Sequence, residues 1–212
     1  MDTSNGPWRV RSTRVVYENP WLRLREDQVI RPDGRPGIYG VVEFPGSVTV
    51  LAVNAAGEVP LVSQWRYPVR RDSLELPTGA IDADDGSPLA AAQRELWEEV
   101  GWRSPTWHRL GAVDNSNGAT TDTTYLYLAV DATPDDGWRP SEEDASTLTR
   151  VTMRLGALRR AALDGTITAG PSVAAALLVA ARAGDVAAML DPRAGAPHAG
   201  TWRQIGAWLA AP

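Results

Sequence analysis

The spacing of apolar and polar positions changes period along the chain. Residues 13–45 read as strands: Trp21-Leu22-Arg23-Leu24-Arg25 alternates, Asp33-Gly34 marks a turn, and Ile38 to Phe44 is extended and apolar. Two further strands, Val48–Val53 and Val59–Gln64, are joined by an Ala55-Ala56-Gly57 turn. The period then becomes helical. Ser87 is placed as an N-cap and Pro88 as a first helical residue; Leu89, Ala92, Leu96 and Val100 share one face, and Gly101 supplies a left-handed stop. This spacing predicts a helix over Pro88–Val100 with its carboxylates away from the apolar stripe. Strands follow near His108–Val113 and at Thr124–Val130, the latter with Tyr125 and Tyr127 on one face and Leu126 and Leu128 on the other. Leu148–Met153 alternates again. Leu155–Leu163 and Pro171–Ala183 read as alanine-rich helices separated by Asp164-Gly165, Asp191–Gly200 as a loose connector, and Thr201–Ala210 as a short helix. Strands surrounding a helix predict an α/β protein in which helices pack on a mixed sheet.

Composition adds exclusions. The 212 residues, 43% hydrophobic with nine tryptophans, suffice for a full core. A net charge of −5 with no basic stripe argues against a nucleic-acid surface. All 21 basic residues are arginine, so Schiff-base and P-loop lysine chemistry are excluded; zero cysteines exclude thiol nucleophiles and zinc-thiolate sites. The N-terminus lacks the basic start and apolar core of a secretory signal. The longest apolar run, Val173 to Ala181, is far short of the roughly 20 residues a membrane helix needs. The expected location is cytoplasmic, with no membrane partner.

The chemistry concentrates at Arg94-Glu95-Leu96-Trp97-Glu98-Glu99-Val100-Gly101-Trp102. Glu95 lies three residues before Glu98 and four before Glu99, so the three carboxylates project from neighbouring turns. Like charges crowded this way destabilise a helix unless something positive binds them. Oxygen ligands without cysteine or histidine suit a hard cation such as Mg2+ or Mn2+, which bridges well to phosphate oxygens. His108 and His198 have no partner at metal-ligand spacing and receive no role.

Together with Leu76-Pro77-Thr78-Gly79 upstream, this segment resembles the box of the Nudix hydrolases, G-x5-E-x7-R-E-U-x-E-E-x-G-U with U apolar. The second half matches at every specified position. The first half departs: fourteen residues lie between Gly79 and Arg94 where the family has thirteen, and Gly86 stands where glutamate is expected, with Asp85 beside it as a substitute. The resemblance implies a Nudix-type α/β/α sandwich and hydrolysis of a diphosphate by attack of metal-activated water. It implies Glu95, Glu99 and the carbonyl of Thr78 as metal ligands, Glu98 as a further metal or water ligand, and Arg94 as the residue that orients the glutamates.

Tyr17-Glu18-Asn19-Pro20-Trp21, Gln64-Trp65-Arg66-Tyr67-Pro68 and Glu75-Leu76-Pro77-Thr78-Gly79 resemble segments of the ADP-ribose pyrophosphatases and related nucleotide-sugar hydrolases. That resemblance implies a small-molecule nucleoside diphosphate derivative as substrate, with Arg66, Glu75 and Gly79 at the substrate cleft. It implies a homodimer paired through the N-terminal strands. The implied organisation is an N-terminal β segment over 1–45, a Nudix domain over 46–185 and a helical extension over 186–212. The general base is expected on the loop carrying Ser141-Glu142-Glu143-Asp144, with Glu143 favoured over Glu142 and Asp144. Asn117 stands where the ADP-ribose subgroup has proline, which leaves the moiety attached to the nucleoside diphosphate open. Trp21, Trp65 and Trp138 are of a kind that stacks on a base or sugar, although packing is the commoner fate. Because the first half of the box departs, a second reading is a Nudix-fold sensor that binds nucleotide with little or no cleavage.

Overall fold

A computed structural model of the protein describes residues 3–184 and 199–210. Most of the connector read at Asp191–Gly200 lies outside these residues. The chain divides into two compact units, one of residues 1–46 with 114–123, the other of residues 47–113 with 124–212.

The first unit is built on an antiparallel sheet of β1 (Thr3–Asn5), β2 (Trp8–Glu18), β3 (Arg23–Ile30) and β4 (Pro36–Glu43), in that spatial order. The Asp33-Gly34 turn joins β3 to β4, with Gly34 at φ 82. Asp27 is 3% exposed on β3 and is bonded by Thr13 and Arg25. Burial opposes its charge, yet the hydrogen bonds from Arg25 and Thr13 outweigh that and hold its carboxyl below the usual range. Loop 114–123 bonds to this sheet, as Tyr39 donates to the Gly118 carbonyl at 2.8 Å and Val42 N–H to the Ala119 carbonyl at 2.9 Å. Asn117 sits in that loop, lining a cavity of about 450 Å3 with Trp8, Arg25, Asp27 and Tyr39.

The second unit holds β5 (Ser47–Val53), β6 (Glu58–Arg66), β7 (Arg71–Glu75), β8 (Thr78–Ala80), α1 (Pro88–Val100), β9 (Trp102–Arg103), β10 (Thr106–Asp114), β11 (Thr123–Val130), β12 (Thr133–Pro134), α2 (Glu142–Thr147), β13 (Leu148–Arg154), α3 (Leu155–Asp164), α4 (Gly170–Gly184) and α5 (Ala199–Ala210). One sheet runs β10-β11-β5-β8, another β13-β6-β7, and β12 pairs β9. β11 and β5 are parallel, whereas β8 is antiparallel to β5, so the sheet is mixed. A parallel central pair must be covered on both faces. Strand alternation does this: Val48, Val50, Ala52, Tyr127 and Ala129 pack with Ala92 and Leu96 of α1, and Leu51, Val53, Leu126 and Leu128 pack with Leu158, Val179 and Ile205 of the later helices. This is the expected α/β/α arrangement.

Ser87 caps α1, its hydroxyl accepting from Ala90 N–H at 3.1 Å, and Gly101 ends the helix at φ 70. One expectation fails here. Glu95 and Glu99 are buried along with Ala91, Ala92, Leu96 and Val100, while Leu89 is only half-buried. The apolar stripe and two of the three carboxylates therefore share the inward side. The 3.6-residue period puts Glu95 and Glu99 next to Leu96 and Ala92, and β8 closes over that edge of the helix.

Candidate active site

The site forms where β8 crosses α1. Thr78 N–H donates to Glu99 Oε2 at 3.0 Å, and the Thr78 hydroxyl bonds both Thr49 and the Leu76 carbonyl at 2.8 Å, fixing the backbone that presents the Thr78 carbonyl. The next residue is Gly79, and a Cβ there would overlap the end of the Glu95 side chain, which would have to give way. Thr78, Gly79, Glu95 and Glu99 thus meet within one small volume.

Arg94 gathers the acids around them. Its Nε and Nη2 each reach the Asp85 carboxylate at 2.9 Å, its Nη1 reaches Glu95 at 2.6 Å and Glu98 at 2.9 Å, and Nη2 also donates to the Ala80 carbonyl. Only the planar guanidinium fork can serve so many acceptors at once. Asp85, beside the position where glutamate is expected, thus binds the Arg94 guanidinium with both oxygens, and Gly86 after it takes φ 69. The hydrogen bonds from Arg94 hold the Asp85 carboxyl below its ordinary range and raise the arginine in return.

The three helix carboxylates differ in exposure. Glu95 is 8% and Glu99 9% exposed, whereas the Glu98 side chain is 43% exposed and points toward solvent. Burial raises the Glu95 carboxyl, with Arg94 opposing. Burial, reinforced by repulsion from Glu95, pushes Glu99 up to about 8. Such a pair is short of positive charge. Among the described residues no three His, Cys, Asp or Glu side chains already enclose a cation position. Even so, the donor set fits a hard divalent ion: two buried carboxylates one turn apart, all ligands oxygen, and a glycine whose missing Cβ leaves the carboxylate its place.

Arg66 and Glu75 arrive by strand register. Val62 on β6 pairs Arg150 on β13 on one side and Glu75 on β7 on the other. Side chains of one such row share a face, and Val62 faces α1. Arg66, four residues beyond Val62, bonds Glu75 with Nε at 2.9 Å and Nη2 at 2.5 Å. Glu75 is 5% exposed and the Arg66 side chain 39%, so the cation sits at the surface of a buried anion. The structure therefore brings Arg66 and Glu75 to the α1 side of the sheet. The expected base, Glu143, lies on α2, whose N-terminus the Ser141 hydroxyl caps, and its side chain is outside the described residues. Glu142 is exposed, and Asp144 bonds Ser141 at 2.7 Å.

Two contributors escaped the sequence reading. Ser172 on α4, 1% exposed, accepts from Leu76 N–H at 3.0 Å and steadies the approach to Thr78. Arg150 Nε donates to the Glu99 carbonyl at 2.6 Å. A signal existed for Arg150 alone, as an arginine on the same strand face as the apolar Leu148. Trp138 lies against Gly101, where a Cβ would meet its ring. Trp21 and Trp65 are exposed at 74% and 59%.

Residues 8–42 match the nucleoside diphosphate sugar hydrolase N-terminal domain, and residues 43–169 match the NUDIX domain. An ADP-ribose pyrophosphatase of Mycobacterium tuberculosis is 36% identical over 118 residues, 56% of this chain and 57% of that protein. One from Bacillus subtilis is 29% identical over 129 residues, 61% of this chain and 69% of that protein. The match thus spans little more than half the length of the first relative. A crystal structure of an ADP compounds hydrolase shares the fold, with a TM-score of 0.69 at 19% identity over 84% of this chain and 94% of that one. With the domain match running through β5–β8, α1 and the later strands, the chain belongs to the Nudix family.

Proposed function

We propose that the protein hydrolyses the diphosphate bridge of a nucleoside diphosphate joined to another moiety, a ribose or another sugar, with Mg2+ or Mn2+. The observation that carries this reading is the buried Glu95–Glu99 pair beneath Thr78 and Gly79, with Arg94 binding its outer edge. Nudix hydrolases generally use divalent metals, and the match to a nucleoside diphosphate sugar hydrolase N-terminal domain supports the substrate class. ADP-ribose and nucleotide sugars are the favoured substrates, by the names of the relatives.

Glu95, Glu99 and the Thr78 carbonyl would hold the ion, with Glu98 completing the set from the solvent side. When bound, it supplies charge neutralisation at the phosphoryl oxygens and acidifies the attacking water. Arg94 keeps the carboxylates of Glu95 and Glu98 turned toward one point. Arg66, braced by buried Glu75, offers positive charge to the diphosphate. The water oxygen attacks one phosphorus, the bridging P–O bond breaks, and the proton passes to a carboxylate, for which Glu143 is our assignment. The products are a nucleoside monophosphate and a sugar phosphate.

The N-terminal sheet supports a homodimer: Val15, Val16, Tyr17 and Ile38 are all about half exposed or more on β2 and β4.

The test is a panel of ADP-ribose, nucleotide sugars and nucleoside triphosphates assayed with Mg2+ and with Mn2+. Glu143→Gln should lower turnover at least about a hundredfold with metal binding preserved; wild-type-like turnover removes Glu143 from the mechanism. Tight nucleotide binding with no metal-dependent turnover of any compound would replace the enzyme by a sensor.

A further inference from the structure

The last turn of α1 carries Glu98 and Glu99, and no basic residue of the helix lies in that turn. A helix C-terminus already bears partial negative charge; Arg94 answers Glu98 from within the helix, so what Glu99 needs comes from outside it. Arg150 provides it. Its Nε donates to the Glu99 carbonyl at 2.6 Å, and its guanidinium carbon stands 4.8 Å from the centre of the Trp138 ring. Trp138 in turn lies against Gly101, and the segment that bears it is tied down by Asp135 N–H bonding the Gly101 carbonyl at 2.8 Å.

Among the described residues, Arg150 Nη2 and Trp138 Nε1 are buried donors without an acceptor. Such groups are uncommon in folded proteins and call for a reason. The reason offered by the geometry is that a flat cation is needed at that point: it lies on the indole by its face and holds the Glu99 carbonyl by its edge.

We propose that Arg150, seated on Trp138, is a positioning residue that sets the last turn of α1 and thereby the Glu99 carboxylate. The same pair anchors both ends of segment 139–149, which includes α2, to that turn. The inference rests on the proposed metal site and adds residues outside the family box to it.

The test reads the ion and not turnover: Mn2+ titration followed by loss of the free-ion EPR signal, with thermal unfolding as a control. Coulomb's law alone says that removing a nearby cation tightens Mn2+ binding. Loss of position says the opposite. Arg150→Gln should weaken Mn2+ binding at least about fivefold, and Arg150→Lys, which keeps the charge without the flat fork, should restore only part of it. Binding that is unchanged or tighter in Arg150→Gln overturns the proposal. Should that variant not fold, Trp138→Leu carries the test: binding at least about threefold weaker is expected, and binding within about twofold of wild type overturns the role. Absence of hydrolysis by a wild-type chain that binds Mn2+ would sink the proposed function alone; a wild-type chain that takes up no Mn2+ sinks both.

Discussion

Glu99 concentrates the conflict that this fold sustains at a single residue. Burial and the nearby Glu95 push its carboxyl up to about 8, far above an unfolded carboxylate. A group raised in the folded state contributes stability while both states are protonated and loses it as pH climbs through the folded value. Without divalent ions, the melting temperature should therefore fall between about pH 5 and pH 8. Mg2+ should restore it at pH 8, since a bound cation does for the carboxylates what the proton did. A calorimetric series with and without Mg2+ checks this, and a flat metal-free profile would contradict it. Glu99→Gln should separate the two roles of the side chain. Turnover should drop at least about a hundredfold, while the metal-free variant melts higher than wild type at pH 8. Gly79→Ala has no such compensation: the new methyl meets the Glu95 carboxylate, and Mn2+ affinity should fall at least about tenfold by the same EPR titration. At this scale the residue types were legible in the sequence, because Arg94, Glu95, Glu98 and Glu99 stand at helical spacing. Their unequal burial was not, since it depends on β8 closing over one edge of α1.

The helices and strands were legible wherever local chemistry settled them. Ser87, Pro88 and Gly101 bound α1 by capping and by positive φ, and the Tyr125/Leu126 alternation already assigned the two faces of β11. What stayed hidden was lateral register. No local signal says that Val62 pairs both Arg150 and Glu75, yet that row turns two charged side chains toward α1. Ser172 was hidden for the same reason, its partner Leu76 being fixed by tertiary packing. The final short helix, α5, packs into the core: Trp202, Ile205 and Leu209 are buried among Leu158, Ala161, Ala176 and Val179. Trp202→Ala should cost about 3–5 kcal/mol, as for large core residues elsewhere. Urea unfolding measures it; a loss under about 1 kcal/mol would make α5 a surface ornament.

The whole molecule is two compact units in which the chain leaves the first, builds part of the second over residues 47–113, returns at residues 114–123 and then completes the second. Composition could not reveal that return, because the loop 114–123 is polar and reads as an ordinary connection. The first unit leaves apolar side chains on its long strand β2 in solvent, including Tyr17 at 56% exposure. Sedimentation velocity should find a dimer at micromolar concentration, and Tyr17→Glu with Val15→Glu should shift it toward monomer; a wild-type monomer at about 100 μM would end the dimer reading. The placement of α5 has a consequence for synthesis as well. Its buried residues complete a core wall whose other members, Leu51 and Leu61 among them, leave the ribosome far sooner. At roughly 5–20 residues per second, that half-covered sheet face waits on the order of ten to thirty seconds for residues 199–210. During that interval the nascent chain presents an oily surface that its own sequence cannot yet hide, so its yield in a cell depends on what shields that face until Trp202 arrives.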